Sequence, residues 1–245
     1  MSLVKISVIV LAVDETRSLE NVIKTLTKFD YFIEKIFIIS PEFVSEECKK
    51  TQSQLKKQNH KIETLIQEKA FPGMGGAIKF AVQFIKTKYF CWIDGDGETD
   101  PEYLEEMYKN IIKDSSIDII NASRFKKNDV LIKDYGFFSS ILTYLFQLLC
   151  KIFFEKKLTD FTVAYRLYKT EYFKKFKFIN NNQNFCLETL LIPLAINSPV
   201  IKEIYYQWRK RSDGISNNNI INKFSYFTIF YHAYVLKVKK FFNKS

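Results

Sequence analysis

The feature that most restricts the fold of this chain is an alternation of short apolar segments with longer segments of helical period. Residues 4–12 form a β-branched apolar run, and residues 15–29 then place apolar side chains at helical spacing. A run like 4–12 is typical of a strand that is buried on both faces of a parallel sheet. Strands that alternate with helices in this way predict an α/β fold with a mostly parallel sheet.

The same rhythm continues through the first half of the chain. Further strands are predicted at 34–39, 61–66, 88–93 and 117–122. Further helices are predicted at 42–57, from Gly73 onward with Phe84 on its apolar face, and from Pro101 to about 113, because proline suits a first helical turn. These segments together predict one sheet with helices packed against it.

The second half of the chain is richer in aromatic residues. The apolar segment 137–154 is interrupted by polar residues, so it predicts either a buried core helix or an amphipathic helix at a membrane surface. Residues 224–242 combine aromatic residues with lysines, which favours the headgroup zone of a bilayer. The polar segment 212–222 before them predicts a loop. No apolar stretch reaches the roughly 18 residues of a spanning helix, so none is expected.

The formal net charge of +10 allows several partners. Such a charge suits nucleic acid, an anionic membrane or a phosphorylated ligand, and it also fits a solvated basic surface. The chain has no long block of lysine and arginine and no nucleic-acid-binding signature, so a nucleic-acid partner is not expected.

The cysteines and the N-terminus indicate the compartment. Cys48, Cys91, Cys150 and Cys186 have no CxxC spacing, which gives no support to a zinc site or a redox dithiol. Cys91 and Cys150 lie in apolar runs, as reduced core residues do in cytoplasmic proteins. The apolar N-terminal run has no small-residue cleavage site, and it is interpreted as a strand and not as a signal peptide.

The most informative segment follows the predicted strand at 88–93. Asp94 and Asp96 leave the end of this strand, where open α/β sheets bind their ligands. Gly95 and Gly97 allow a tight turn and leave room for a bulky ligand. Because a hard divalent cation prefers oxygen ligands and can bridge to a diphosphate, this Asp-x-Asp segment suits a site for a metal and a diphosphate.

The acidic segment from Asp94 onward also fits two other structures. The first is a solvated acidic turn, and the second is a calcium-binding loop. The acids between Asp94 and Glu105 match several positions of an EF-hand calcium loop. Thr99 stands where that loop needs glycine, however, and Pro101 interrupts it, so calcium binding is not expected.

Six short motifs occur in order along most of the chain. They are VIVLAVDE, PGMGGAIKFAVQFI, WIDGDGETDPE, NASRF, LTDFTVAYRLYKTEYF and RSDGIS. Each is weak alone, but in this order they resemble glycosyltransferase family 2, and especially its polyprenyl-phosphate sugar synthase branch. The resemblance implies the GT-A fold, which is a single Rossmann-like nucleotide-binding domain, here over 1–222, with extra C-terminal helices. Residues 223–245 would form an amphipathic aromatic and basic helix.

The resemblance also implies the reaction. It predicts a metal-dependent enzyme that moves a sugar from a nucleotide-sugar donor, with inversion, to a membrane-associated acceptor. That acceptor would be a lipid phosphate such as a polyprenyl phosphate, or a growing glycan. The enzyme would be cytoplasmic and peripheral on the inner face of the membrane.

The resemblance assigns roles to residues. It implies a donor site formed by Asp14, Glu15, Gly76, Asp94 and Arg124, in which Asp94 and Asp96 hold Mg²⁺ or Mn²⁺. Arg211 is expected to clamp a phosphate, with a surface arginine as the alternative. A hydroxyl acceptor would need a general base, for which Asp160 and Glu188 are the candidates, although each suits a structural carboxylate equally well. A lipid phosphate would need no base.

Departures from the family leave the nucleotide open. The family usually ends its second strand with two aspartates, one of which reads the base, whereas this chain has Ile39, Ser40 and Pro41. Leu11 also replaces the proline that usually precedes the first motif. The chain therefore does not identify its nucleotide, and these departures leave open a substrate outside the family's common set or a protein that has lost activity.

Two rival functions fit parts of the sequence, a sugar nucleotidyltransferase and a non-catalytic binding module. A sugar nucleotidyltransferase would show a Gly-x-Gly-x-Arg loop after the first strand, but residues 13–21 contain no glycine. A non-catalytic module that binds membranes or nucleic acid would explain the charge. It would not explain the Asp-x-Asp segment at a strand end.

Overall fold

The elements of the chain follow the predicted alternation closely. The computed structural model describes residues 4–125, 137–155, 157–209 and 220–243. The strands are β1 (Ile6–Leu11), β2 (Ile33–Ser40), β3 (Ile62–Ile66), β4 (Tyr89–Asp94), β5 (Ile119–Ser123), β6 (Arg166–Lys169) and β7 (Ile201–Tyr205). The helices are α1 (Arg17–Thr27), α2 (Glu46–Gln58), α3 (Gly73–Val82), α4 (Tyr103–Lys113), α5 (Phe137–Phe153), α6 (Thr170–Phe173), α7 (Phe185–Ile196) and α8 (Ile220–Phe242).

All the strands of the described chain join one sheet. Their order is β3-β2-β1-β4-β6-β5-β7. Strands β1 to β4 pair in parallel with one another, as do β5 and β7, whereas β6 runs antiparallel to both of its neighbours. The prediction of an α/β fold with a mostly parallel sheet is confirmed.

The sheet is covered on both faces, which explains the continuous apolar strands. Val8, Ile9 and Val10 are consecutive in β1 and all are fully buried. Val8 and Val10 belong to the core that includes residues of α1 and α4. Ile9 and Trp92 belong to the core that includes residues of α3 and α7. Because alternate side chains of a strand point to opposite faces and both faces are covered, consecutive positions such as Val8, Ile9 and Val10 are all apolar.

Several predicted boundaries shift for local reasons. Helix α2 begins at Glu46 and not at residue 42, because the Ser45 hydroxyl accepts a hydrogen bond from the Cys48 amide and caps the helix. Helix α3 ends at Val82, so Phe84 lies beyond it and is exposed. Residues 220–222 of the predicted loop belong to α8, and the rest of that loop lies outside the described residues.

Helices α5 and α8 form an aromatic layer over one side of the molecule. One face of α5 buries Phe146, Gln147 and Cys150, whereas Phe138 on the opposite face is 83% exposed. Ring contacts join Phe146 and Phe153 of α5 to Phe230 of α8, with centroids 6.3 and 5.5 Å apart. Helix α5 is therefore not a fully buried core helix, and its outward face exposes large apolar side chains.

None of the described helices is both long enough and apolar enough to cross a membrane. All four cysteines are buried and free, which confirms the core positions predicted for Cys91 and Cys150.

Candidate active site

A cleft of about 650 Å³ opens at the edge of the sheet where β1 to β4 end. Since these strands are parallel, their carboxyl ends meet at one edge, which is where such sheets bind ligands. The lining residues are Leu11, Ala12, Val13, Asp14, Glu15, Ile39, Pro41, Gln67, Gly73, Met74, Ala77, Asp94, Asp96 and Gln183. Four of the predicted site residues therefore come together: Asp14, Glu15, Asp94 and Asp96.

The pairing of β1 with β4 explains why these acids meet. Leu11 lies opposite Asp94 in the register, so the segments that follow the two strands leave the sheet side by side. The cleft is lined by four carboxylates, and among its described lining residues none is a lysine or an arginine. Carboxylates crowded in this way repel a diphosphate unless a cation lies between them.

The turn after β4 holds Asp96 in a fixed position. Its Oδ1 accepts a hydrogen bond of 2.9 Å from the Glu98 amide, and the side chain is only 3% exposed. Gly97 has a φ of 82°, which favours glycine. A Cβ on Gly95 would lie 2.9 Å from the carbonyl oxygen of Leu11. Both glycines are therefore needed for this turn to pass close to β1.

The donor set fits a cation that is shared with a ligand. Within the described residues, no group of three or more His, Cys, Asp or Glu side chains could hold a metal by itself. The pair Asp94 and Asp96 would give two carboxylates, and Mg²⁺ is commonly held by one or two carboxylates together with water and substrate phosphates. These residues suit a metal bound together with a diphosphate better than a site built from protein ligands alone.

Asp14 and Glu15 line the cleft but also organise their own loop. The Asp14 Oδ1 accepts a hydrogen bond of 2.8 Å from the Ser45 amide, which ties the loop after β1 to the start of α2. The Glu15 Oε2 accepts hydrogen bonds from the amides of Val13 and Asp14. The two side chains thus shape the cleft wall as well as lining it.

Gly76 has a packing role that the sequence interpretation did not foresee. It is not among the residues that line the cleft, whereas Gly73 and Met74 of the same turn are. A Cβ on Gly76 would lie 2.3 Å from the Phe71 carbonyl oxygen. The structure requires this glycine for the close turn that begins α3, and contact between Gly76 and the donor stays a prediction.

Arg124 and Asp160 bind each other. The Arg124 Nε and Nη2 donate to the two Asp160 carboxylate oxygens at 2.7 and 2.9 Å, and Asp160 is 0% exposed. Burial by itself would raise the pKa of Asp160, but the Arg124 charge and hydrogen bonds from Arg124 and the Thr162 amide outweigh it and lower that pKa. These contacts favour the structural alternative for Asp160 over the role of a base, whereas the phosphate-clamp role of Arg124 stays a prediction, since Arg124 also lines a pocket beside Asp94.

Glu188 is also used structurally. Its two oxygens accept hydrogen bonds of 3.0 Å from the amides of Ile179 and Asn180, and the side chain is 1% exposed. This arrangement favours the structural alternative for Glu188 over the catalytic one. Arg211, together with Gly214 and Ser216 of its motif, lies outside the described residues.

A second pocket of about 140 Å³ lies beside the cleft. Three residues line both spaces, namely Met74, Asp94 and Gln183. The others are Glu98, Thr99, Arg124, Thr162, Val163, Ala164, Tyr165, Cys186, Tyr206, Trp208 and Tyr226. Asp94 thus stands at the junction of a large acidic cleft and a smaller aromatic pocket.

Sequence reasoning missed several residues that line these spaces. Gln67 follows β3 directly, so the strand-end rule that found Asp94 would also have found it. Gln183 and Trp208 come from segments far along the chain, and only the fold brings them beside Asp94.

The sheet order and the acidic strand-end cleft define the class of protein, an α/β enzyme with the GT-A type of nucleotide-binding fold. The sequence model of the family described as glycosyl transferase family 2 matches residues 7–177 of the 245 residues. The chain therefore belongs to this family. Membership makes the chain a glycosyltransferase and sets aside the nucleotidyltransferase and non-catalytic alternatives.

Solved structures share the fold. Glucosyl-3-phosphoglycerate synthase from Mycobacterium tuberculosis, in complex with Mn²⁺, UDP and phosphoglyceric acid, is 12% identical with a TM-score of 0.72, over 94% of this chain and 78% of that one. The same enzyme with Mg²⁺ and UDP gives 11% identity and a TM-score of 0.72, over 94% and 79%. At this identity the likeness establishes the fold alone. A search of curated protein sequences gave no match. The comparisons support family 2 and not one branch within it.

Proposed function

We propose that this protein is a divalent-cation-dependent glycosyltransferase that moves a sugar from a nucleotide-sugar donor to a membrane-associated acceptor bearing a phosphate. The observation that carries the proposal is the cleft with four carboxylates and no basic residue among its described lining residues. Such a wall binds a diphosphate only through a cation, and Asp94 with Asp96 is the pair that would hold Mg²⁺ or Mn²⁺. The structural neighbours that bind UDP with either ion support this choice.

The chain's residues divide the work of transfer. A bound cation would neutralise the negative charge that develops on the leaving diphosphate. Asp94 and Asp96 would hold the cation at the end of β4, and the diphosphate would bind to it there. The nucleoside extends over the ends of β1, β2 and β3, where Asp14 and Glu15 line the cleft. The transferred sugar then lies near Asp94, beside the second pocket.

The second pocket suits the acceptor. Neither Asp160 nor Glu188 offers a carboxylate to take a proton, since both are buried and hydrogen bonded. A phosphate acceptor such as a polyprenyl phosphate is already an anionic nucleophile and needs no base. The structural neighbour was solved with a phosphate-bearing molecule, phosphoglyceric acid, beside UDP.

A sugar hydroxyl as acceptor is the second candidate. Glu98 lines the second pocket together with Asp94, and its carboxylate would take the hydroxyl proton in that case. Replacement of Glu98 by Gln separates the candidates. A phosphate acceptor predicts transfer within a few-fold of the original rate, whereas a hydroxyl acceptor predicts a loss of at least about 100-fold.

The membrane part of the proposal depends on the outer faces of α5 and α8. Phe138 and Ile152 of α5 are exposed, as are Tyr231 and Phe241 of α8, the last by 71%. Lys239 and Lys240 lie in the last turn of α8. Aromatic rings beside lysines suit the headgroup zone of an anionic bilayer, and this supports a peripheral position on the cytoplasmic face of a membrane.

A ligand screen tests the proposed reaction. UDP-, GDP-, CDP- and TDP-sugars are added to the full chain with Mn²⁺ or with EDTA, and the melting temperature is measured. We expect one nucleotide class to raise the melting temperature in Mn²⁺ alone, because a ligand that binds the folded state stabilises it by mass action. An equal rise in EDTA would refute the metal role, and no rise with any donor would refute the proposed function.

A further inference from the structure

The end of the cleft farthest from Asp94 is formed by β2 and β3. Three strand spacings separate β4 from β3, about 14 Å at ~4.8 Å each. At this end the cleft is lined by Ile39 and Pro41 after β2 and by Gln67 after β3. The usual aspartate pair is absent here, so another group must read the nucleobase.

Gln67 is the polar side chain at this end of the cleft. Ile39, Pro41, Met74 and Ala77 line the wall around it and offer no polar side-chain group. The Gln67 backbone is fixed as well, since its amide donates a hydrogen bond of 2.8 Å to the Ser40 carbonyl oxygen. Gln67 thus combines a polar group with a position set by the sheet.

The hydrogen bonds of Gln67 fix the orientation of its amide. Its Nε2 donates to the carbonyl oxygens of Phe71 and Gly73, the second at 2.8 Å. Two carbonyl oxygens are both acceptors, so only the NH₂ group can face them, and the amide cannot be flipped. The Oε1 is therefore the atom that Gln67 can offer to a ligand, and it is a hydrogen-bond acceptor.

We infer that Gln67 Oε1 accepts a hydrogen bond from a ring N–H of the donor's nucleobase and so selects uracil, thymine or guanine over cytosine. This inference rests on the proposed function. Uracil, thymine and guanine each carry a ring N–H on their pairing edge. Cytosine carries an unprotonated ring nitrogen at that edge. This nitrogen and Gln67 Oε1 would both be acceptors, so they could not form a hydrogen bond. A polar site rejects a ligand that leaves its buried groups unpaired.

Nucleotide binding to the wild-type chain tests the inference without a variant. Binding of UDP, dTDP, GDP and CDP is measured by calorimetry in Mn²⁺, and then binding of an N-methylated form of the tightest one, such as N3-methyl-UDP or N1-methyl-GDP. We expect CDP to be the weakest and methylation to weaken binding by about tenfold. Tightest binding by CDP, or methylation without effect, would overturn the role of Gln67.

A substitution then assigns the effect to the residue. Gln67→Met removes the acceptor, so the unmethylated and methylated nucleotides should bind this variant with nearly equal affinity. The control Gln54→Met, on the exposed face of α2, should keep the wild-type ratio of the two affinities. An unchanged ratio in Gln67→Met would contradict the inference, and if that variant does not fold, the wild-type comparison still decides. If UDP, dTDP, GDP and CDP all bind with equal affinity, only the inference about Gln67 is overturned. If none of the four binds, the proposed function is overturned as well.

Discussion

Arg124 and Asp160 show that the type of a residue does not determine its role in the fold. Both are charged side chains in family-like motifs, and both seemed suited to chemistry, yet each satisfies the other in the core. They are 36 positions apart in the chain, and only the pairing of β5 with β6 brings their segments together. Asp94 and Asp96 were predictable because their position at a strand end is a local property of the sequence. The Arg124–Asp160 pair was not, because it depends on a tertiary contact.

The substitution Asp160→Asn should destabilise the fold by about 3–5 kcal/mol at pH 7, since it leaves the Arg124 charge buried without its partner. The pKa of Asp160 is lowered in the folded state, so its contribution is present above the ordinary aspartate pKa of about 3.9 and is lost as the pH falls through the folded value. Urea unfolding from pH 7 to pH 3 measures both effects. Asp30→Asn, at an exposed ion pair, is the control and should cost under about 1 kcal/mol. A similar small cost for Asp160→Asn would contradict the buried pair.

The substitution Asp96→Ala should abolish Mn²⁺-dependent nucleotide binding and sugar transfer, because it removes one of the two carboxylates proposed to hold the cation. The fold should remain, since the hydrogen bond from the Glu98 amide to Asp96 is local to the turn after β4 and the core of the sheet is untouched. Calorimetry with the nucleotide and circular dichroism measure the two properties. Glu106→Gln on the exposed face of α4 is the matched control. Full activity of Asp96→Ala would refute the metal assignment.

Helices and strands were predicted with unequal success for physical reasons. The strands from β1 to β5 are rich in β-branched or aromatic residues, a local pattern that the sequence shows directly, and the predicted strands agree with them to within a few residues. Strand β6 has only four residues, and β7 lies at the sheet edge with a half-exposed pattern, so neither gives a strong periodic signal. Helix α7 is apolar on all sides and contains Pro193, which hides its helical period.

The aromatic contacts between α5 and α8 give a prediction for one pair of neighbouring residues. Phe230 packs against Phe153 and Phe154 with centroids 5.5 and 5.4 Å apart, whereas Tyr231 is 67% exposed. Phe230→Ala should cost about 2–3 kcal/mol of unfolding free energy through the cavity it leaves, and Tyr231→Ala under about 0.5 kcal/mol. Urea denaturation measures both. Equal costs would show that α8 does not pack on α5.

Charge is unevenly divided over the whole molecule. The chain carries a net charge of +10, yet four carboxylates line the cleft at the carboxyl edge of the sheet. The positive excess therefore lies elsewhere, and part of it lies on α8 beside exposed aromatic rings. Such a division suits a protein that binds a cation in its cleft and an anionic surface through another face.

Vesicle binding tests the surface at the scale of the molecule. The double substitution Lys239→Glu with Lys240→Glu should weaken binding to vesicles that contain phosphatidylserine by at least about tenfold, since each lysine near an anionic surface contributes about 1 kcal/mol. The pair Lys56→Glu with Lys57→Glu on α2 makes the same change of charge on an exposed helix and should have a smaller effect. Sedimentation at low and high salt measures binding. Equal losses in the two variants would show that α8 has no special role.

The reversed direction of β6 has a consequence for how this enzyme can diversify. Because β6 runs against β4 and β5, it is the segment entering β6, and not the one leaving it, that arrives at the functional edge of the sheet. Thr162, Val163 and Ala164 belong to that entering segment and form part of the second pocket. Under the proposed function, evolution can thus lengthen or rewrite the connection between β5 and β6 and change the acceptor, while the four strands that form the acidic cleft keep their register.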